Sequence, residues 1–175
     1  MEIVTSEPIV VYRETVVQKV ESVEGKSPNR HNRFYFDLQP LPDEIVDLIK
    51  KGEVSMNQQM LERRDILMKA GMDKDEAKNI KDIKGTNMLI DKTKGVQYLN
   101  ETMELIIEGI HEALAGGPLA DEPVQNLKMT LVDVKLHEDA IHRGPAQVIP
   151  AVRSAIKAGM LIAGESSSAA RFPEQ

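Results

Sequence analysis

Two histidines and two carboxylates lie close together in the run from residue 136 to residue 147, LHEDAIHRGPAQ. Imidazoles can transfer protons or bind a metal ion, and neighbouring carboxylates can assist either task. One interpretation is therefore a small hydrolase or metalloenzyme that uses His137, His142 and Asp139. The spacing argues against it, because histidines five residues apart do not share a helical face and the adjacent acids Glu138 and Asp139 need not converge. A structural loop histidine that is hydrogen-bonded by Asp139 is the commoner alternative.

The same run is positioned to form an exposed turn. It follows an alternating apolar segment typical of a strand and precedes an amphipathic segment typical of a helix. Gly144 would allow a tight backbone turn, and Pro145 would limit its freedom. Such a turn would present His142 and Arg143 to a partner.

A second group of candidate binding residues lies in the segment from 25 to 33. It contains four basic or ionisable side chains and no acid, namely Lys26, Arg30, His31 and Arg33. Glycine, serine, proline and asparagine in the same segment predict a loop, which we call the basic loop. Since the formal net charge of the chain is -6, it cannot coat nucleic acid by overall positive charge, so any contact with RNA must be local.

Gly25-Lys26-Ser27 also resembles the end of a nucleotide-binding P-loop. However, Val20 occupies the position where that motif requires glycine, and a predicted strand follows instead of a helix. We therefore predict no nucleotide binding at this segment.

Composition limits the class of protein. The chain has 175 residues, 41% hydrophobic and 29% charged, which suits one domain with a real core. It has no cysteine, which excludes disulfides, thiolate zinc sites and cysteine nucleophiles. The sequence contains no apolar run of membrane-spanning length, and residues 1–4 do not resemble a signal peptide, so we expect a soluble, cytoplasmic protein without membrane contact.

The strand signals predict a hairpin around the basic loop. Residues 9–17 are rich in β-branched side chains and predict one long strand, and residues 34–38 predict a second. Further strands are predicted at residues 87–90 and 127–136. The basic loop would be the turn between the first two strands.

Helix signals occupy the segments between and after these strands. Pro42 and the acids after it predict a short helix, Ser55 begins a longer helical pattern that Gly71 can end, and Asp73 with Glu76 resembles a capping box. Apolar residues at steps of three and four predict a helix over 98–115 and another over 149–160, the latter with Pro150 in its first turn. The expected fold is an α+β two-layer sandwich, with a mixed sheet and helices packed on one face.

Four segments together resemble archaeal and eukaryotic translation elongation factor 2, in the part known as domain IV. They are IVVYRET (9–15), KSPNRHNR (26–33), TKGVQYLN (93–100) and LHEDAIHR (136–143). The resemblance implies that residues 1–164 are this domain, with a ribosomal-protein-like fold and a rare left-handed βαβ crossover. The small residues from 165 to 175 would be a disordered or artificially appended tail. Pro145-Ala146 favours an archaeal source, because eukaryotic members have more glycine there.

The resemblance also implies what each candidate residue does. His142 would be the histidine converted to diphthamide. The loop-shaping and RNA-facing residues would be Asp139, Ile141, Arg143 and Gly144, together with Lys26, Asn29, Arg30, His31 and Arg33 in the basic loop. Both loops would lie at the tip that enters the decoding centre of the ribosome with tRNA and mRNA.

Further partners implied by the resemblance are the diphthamide-synthesis enzymes and the ADP-ribosylating toxins that act on the modified residue. GTP and Mg²⁺ would belong to a GTPase domain of the parent factor, so this chain is expected to be no enzyme and to hold no metal or cofactor. The enzyme hypothesis is the alternative. Replacing His142 by alanine separates the two, because an enzyme would lose hydrolysis whereas the translation module would lose toxin-dependent ADP-ribosylation and keep its fold.

Overall fold

The computed structural model describes residues 9–119, 121–164 and 166–172, which form seven strands and five helices. The strands are β1 (Ile9–Thr15), β2 (Val20–Lys26), β3 (Arg33–Pro40), β4 (Ile80–Lys84), β5 (Asn87–Asp91), β6 (Leu127–Lys135) and β7 (Ser166–Phe172). The helices are α1 (Asp43–Lys50), α2 (Met60–Lys69), α3 (Lys74–Lys78), α4 (Leu99–Ala115) and α5 (Pro145–Ile162).

A mixed sheet of five strands forms the centre of the fold. Its order is β2-β3-β6-β5-β4, in which β5 and β6 are parallel and the other neighbours are antiparallel. The strands β5 and β6 are therefore joined through α4 in one βαβ unit. The mixed sheet confirms the predicted α+β class, and the handedness of this crossover stays a prediction.

Helices α4 and α5 cover one face of the sheet. Phe34, Phe36 and Leu38 alternate along β3 and are completely buried in the same apolar cluster as α4 and α5. Burial of each such side chain stabilises the fold by about 1.5–3 kcal/mol. The backbones also come very close, because a Cβ at Gly25 would lie only 2.3 Å from the carbonyl oxygen of Ala151 in α5.

A second, smaller core lies against the opposite side of β5. Leu89 belongs to the α4–α5 core, whereas its neighbours Met88 and Ile90 pack in a cluster with residues of α1, α2 and α3. Because successive strand residues point to opposite faces, these three short helices add a helical layer on the other face. The predicted single helical layer is thus formed by α4 and α5, and the structure adds a second helical layer, formed by α1, α2 and α3.

The hairpin around the basic loop is confirmed, but its first strand is β2 and not the predicted strand over residues 9–17. Strand β1 pairs with β7 in a separate two-stranded sheet, and β2 pairs with β3. The register of β2 shifts between Val20 and Val23, where Ser22 has a φ of +52°. This irregularity interrupts the alternation of apolar and polar residues, so the sequence signal of β2 is weak. Strand β4 was missed for a similar reason, since its register also shifts, between Ile80 and Asp82.

Two helices begin elsewhere than predicted. Helix α2 starts at Met60 and not at Ser55, because the buried Arg63 donates from Nη1 to the carbonyl oxygens of Ser55 and Gln58 and holds that segment as a loop. Desolvation by burial lowers the pKa of the Arg63 guanidinium below its usual value. Helix α5 starts at Pro145, so Pro150 lies inside it and not in its first turn.

The other helix signals are confirmed. Helix α1 follows Pro42, and the Asp73 side chain caps α3 by accepting from the amides of Asp75 and Glu76. Gly71 ends the α2 segment with a φ of +96°, in the left-handed region.

The tail differs from its prediction where it is described. A disordered or artificially appended tail was expected over residues 165–175, yet residues 166–172 form β7, because backbone pairing with β1 needs no apolar pattern in the sequence. Whether the tail was appended stays a prediction. Residues 165 and 173–175 lie outside the described residues, and the domain boundary at Gly164 stays a prediction. Within the described ranges, no helix combines the length and apolar character needed to cross a membrane.

Candidate functional site

The two candidate loops meet at one end of the central sheet. Strand register pairs Arg33, at the end of the basic loop, with Lys135, the last residue of β6. The loop of residues 27–32 therefore lies beside the segment of residues 136–144, which are more than a hundred positions away in sequence. The first of these segments is the turn of the basic loop (residues 25–33), and we call the second the His142 loop.

Two asparagines of the basic loop bind the backbone of the His142 loop. The side-chain amides of Asn29 and Asn32 both donate to the carbonyl oxygen of His142, at 2.8 and 2.7 Å. The Asn32 side-chain oxygen accepts from the amide of His137 at 3.0 Å, and the amide of Asn29 donates to the side chain of Gln147 at 2.9 Å. Since Asn32 is fully buried, these bonds join the loops into one surface.

Three imidazole rings come together on that surface. The ring of His142 lies 4.6 Å from that of His137 and 5.1 Å from that of His31, and the remaining pair is 4.8 Å apart, centroid to centroid. The amide of Asp139 donates a hydrogen bond to His137 Nδ1 at 3.0 Å. The modification candidate His142 is thus in direct contact with the basic loop.

The acids of the His142 loop have structural or exposed positions. Asp139 caps a single 3-10 turn, Ala140–His142, by accepting from the amide of Ile141. Glu138 and Asp139 are both exposed. No group of three or more histidine or carboxylate side chains in the described part of the chain is arranged to hold a metal ion.

Arg143 does not face outward with the other cations. It is only 8% exposed, and its Nε donates to the carbonyl oxygen of His137 at 2.9 Å. Its Nη1 lies 3.3 Å from Glu101 Oε1, and its guanidinium carbon lies 4.3 Å from the centre of the Tyr98 ring. Arg143 therefore holds the His142 loop against the start of α4.

Gly144 and Ile141 differ in what they contribute. Gly144 is the N-cap of α5 with a φ of -81°, which any residue can adopt, and a Cβ there would meet open space among the described atoms. The turn at Gly144 therefore does not require the conformational freedom of glycine, and Pro145 at the first helical position directs the chain into α5. Ile141 is 74% exposed at the end of the His142 loop.

The outward charges form a row across three strands. Lys26 pairs with Arg33, and Arg33 pairs with Lys135, so three cations lie side by side on β2, β3 and β6. Like charges directly opposite each other destabilise a sheet, and such a row is suited to an anionic partner. Arg30, with a φ of +64°, adds a further exposed cation in the basic loop.

Several residues of this site escaped sequence reasoning. Asn32 and Tyr98 lie within segments that carry the family resemblance, which was the available signal. No sequence signal marked Lys135, Glu101 or Gln147 as part of the site, because only strand register and packing bring them to the loops.

Comparison with known proteins identifies similar sequences. The family described as Elongation factor G, domain IV, matches residues 52–164. The chain is 86% identical to elongation factor 2 of Methanoregula boonei over 166 residues, 76% to that of Methanosphaerula palustris over 166 residues and 62% to that of Methanosarcina mazei over 166 residues. In each comparison the match covers 95% of this chain and 23% of the relative, so the chain spans about a quarter of the length of these curated relatives.

Proposed function

Because the chain belongs to the elongation factor G domain IV family, we propose that it is the tip domain of an archaeal elongation factor 2. In that role the domain enters the decoding centre while tRNA and mRNA move through the ribosome. The observation that carries the proposal is the joining of the two loops, in which Asn29 and Asn32 both bind the carbonyl oxygen of His142. Two loops held as one surface can enter a narrow RNA cleft without separating.

Local charge supports contact with RNA. The chain as a whole carries a net charge of -6, yet Lys26, Arg33 and Lys135 form a cationic row at the end of the sheet that holds both loops. Phosphates of tRNA or mRNA are the anions that such a row would contact. The acidic remainder of the domain would limit binding to this end.

His142 is proposed as the acceptor of diphthamide. An ordinary imidazole is largely neutral at cytosolic pH, whereas diphthamide adds a long arm that ends in a quaternary ammonium, whose charge does not depend on pH. The cross-loop hydrogen bonds to His142 use its carbonyl oxygen, so none of them has to break when the side chain receives this arm. Partners of the site would then include the diphthamide-synthesis enzymes and, once His142 is modified, ADP-ribosylating toxins.

GTP hydrolysis is assigned to another part of the parent factor. The Gly25-Lys26-Ser27 segment runs from β2 into a hairpin turn, and no helix begins there to face a phosphate. The chain itself would thus bind neither GTP nor Mg²⁺ and would work in the cytoplasm as part of the translocase.

The test is mass analysis of the chain produced in an archaeal or eukaryotic host that makes diphthamide. We expect the tryptic peptide Leu136–Arg143 to carry the modification on His142, and the purified protein to accept ADP-ribose from a diphthamide-specific toxin. His142→Ala should abolish both and leave the melting temperature nearly unchanged, because the cross-loop bonds use its backbone oxygen. His111→Ala, which removes a histidine on α4, is the matched control and should keep both activities.

An unmodified His142 in such a host would refute the acceptor role. Hydrolysis that His142→Ala abolishes would favour the enzyme alternative.

A further inference from the structure

The His142 loop is anchored to the start of α4 as well as to the basic loop, by contacts that the family resemblance does not assign. The anchor is Arg143, the residue next to His142, whose guanidinium reaches three separate places: the carbonyl oxygen of His137, the carboxylate of Glu101 and the ring of Tyr98. Tyr98 and Glu101 belong to the start of α4, far from the loop in sequence. The guanidinium therefore crosses from the loop to the helix layer.

The surroundings make this contact stronger than an exposed ion pair. The Arg143 side chain is 7% exposed, whereas that of Glu101 is 57% exposed, so the arginine of this ion pair is shielded from water and the carboxylate is not. A cation over an aromatic face gains most when it is removed from water. The planar guanidinium can stack on Tyr98 and donate in its own plane at the same time, which a lysine cannot do equally well.

Tyr98 is held in an uncommon backbone conformation at this point. It is the N-cap of α4 with a φ of +69°, in the left-handed region that side chains other than glycine rarely adopt. The hydroxyl of Thr102 donates to its carbonyl oxygen at 2.8 Å. Backbone strain of this kind persists where surrounding contacts require it, and here it brings the ring beneath Arg143.

The adjacent residues Arg143 and His142 have different structural roles. The buried Arg143 fixes the backbone on α4, and His142 is half-buried with its ring among those of His31 and His137. The asparagines of the basic loop restrain the same backbone independently, through the His142 carbonyl oxygen. Losing either restraint would let the His142 backbone move.

We propose that Arg143, Tyr98 and Glu101 are positioning residues that present His142 to the enzyme that modifies it. The inference rests on the proposed function, since it concerns the acceptor role of His142. The three residues would touch neither the modifying enzyme's reacting atoms nor the new chemical group. They would act by keeping the imidazole within the small displacement that a group-transfer reaction tolerates.

The test compares modification rates of variants produced in the same diphthamide-making host. Arg143→Met, which keeps the length and packing of the stem, should slow modification of His142 by on the order of tenfold or more. Arg143→Lys should be intermediate, because it keeps the charge and loses the in-plane donor. The matched control is Arg153→Met, which removes an exposed arginine that pairs with Glu112 at 2.9 Å, and its rate should equal that of the wild type.

A double variant separates positioning from a general loss of stability. Tyr98→Leu alone should also slow modification, and Tyr98→Leu with Arg143→Met should be no slower than Arg143→Met alone, because the two residues act through one contact. Stability losses from unrelated sites would instead add. If Arg143→Met does not fold, Tyr98→Leu and Glu101→Gln carry the same comparison.

A second measurement does not depend on modification. Amide ¹⁵N relaxation should show increased motion at Ile141 and His142 in Arg143→Met, with α5 unchanged. Wild-type modification rates in folded Arg143→Met and Tyr98→Leu would overturn the inference, as would unchanged loop relaxation. If the wild type is not modified at all, the acceptor role fails, and the relaxation result alone decides whether Arg143 positions the loop.

Discussion

Replacing Asn32 by alanine would remove the main connection between the basic loop and the His142 loop. The Asn32 side chain is fully buried and makes two bonds across the loops, to the His142 carbonyl oxygen at 2.7 Å and from the His137 amide at 3.0 Å. A net hydrogen bond contributes about 1 kcal/mol, and leaving a buried donor without a partner costs about 1–3 kcal/mol more. We therefore expect Asn32→Ala to lower the free energy of unfolding by about 2–4 kcal/mol.

The assay is urea and thermal unfolding followed by circular dichroism, with amide hydrogen exchange at His137. For a domain of this size the expected loss corresponds to a fall of about 4–16 °C in melting temperature. Exchange at the His137 amide should become much faster, because its acceptor is gone. Asn100→Ala, at an exposed position on α4, is the control and should change stability by less than about 0.5 kcal/mol.

A second substitution tests which atom of Asn32 faces which loop residue. Asn32→Asp keeps an oxygen for the His137 amide and turns another oxygen toward the carbonyl oxygen of His142. It should protect the His137 amide and still destabilise the protein. If Asn32→Ala costs no more than Asn100→Ala, the loops are held by other contacts, and the account of the joined surface is wrong.

Two further predictions concern the elements that support the site. Gly25→Ala should destabilise the protein by about 1–3 kcal/mol in urea unfolding, because the new Cβ would lie 2.3 Å from the Ala151 carbonyl oxygen and push β2 away from α5. Glu76→Gln should cost about 1.5–3 kcal/mol in the same assay, because Glu76 Oε2 lies 2.6 Å from the nearly buried Lys128 Nζ.

Matched controls distinguish these effects from nonspecific losses. Gly52→Ala changes a glycine beside open space among the described residues, and its φ of +77° strains alanine locally. Amide hydrogen exchange in β2 should therefore stay as in the wild type in this control and become faster in Gly25→Ala. Arg153→Met removes an exposed ion pair and should cost less than about 1 kcal/mol. A wild-type melting temperature for Gly25→Ala would contradict the close approach of β2 to α5, and a loss for Glu76→Gln that disappears in high salt would contradict the burial of its pair with Lys128.

Local signals in the sequence determined much of this protein. The signals of three helices are properties of residues adjacent along the chain: Asp73 caps α3, acids follow Pro42 at the start of α1, and α4 has regular apolar spacing. The basic loop was recognisable because loop-forming residues and cations occur together between residues 25 and 33. The family resemblance singled out His142, which no pattern of spacing alone could have distinguished from a structural histidine.

Only the tertiary structure decided how these parts combine. The hairpin partner of β3 is β2, whose pairing register shifts between Val20 and Val23, where the sequence pattern of a strand is weakest. Asn32 meets the backbone of the His142 loop across 105 and 110 positions of sequence, and Arg143 points inward because α4 supplies a carboxylate and a ring at the right distance. Such contacts depend on packing between distant segments, and the direction of a side chain in a loop follows from that packing and not from its neighbours in sequence.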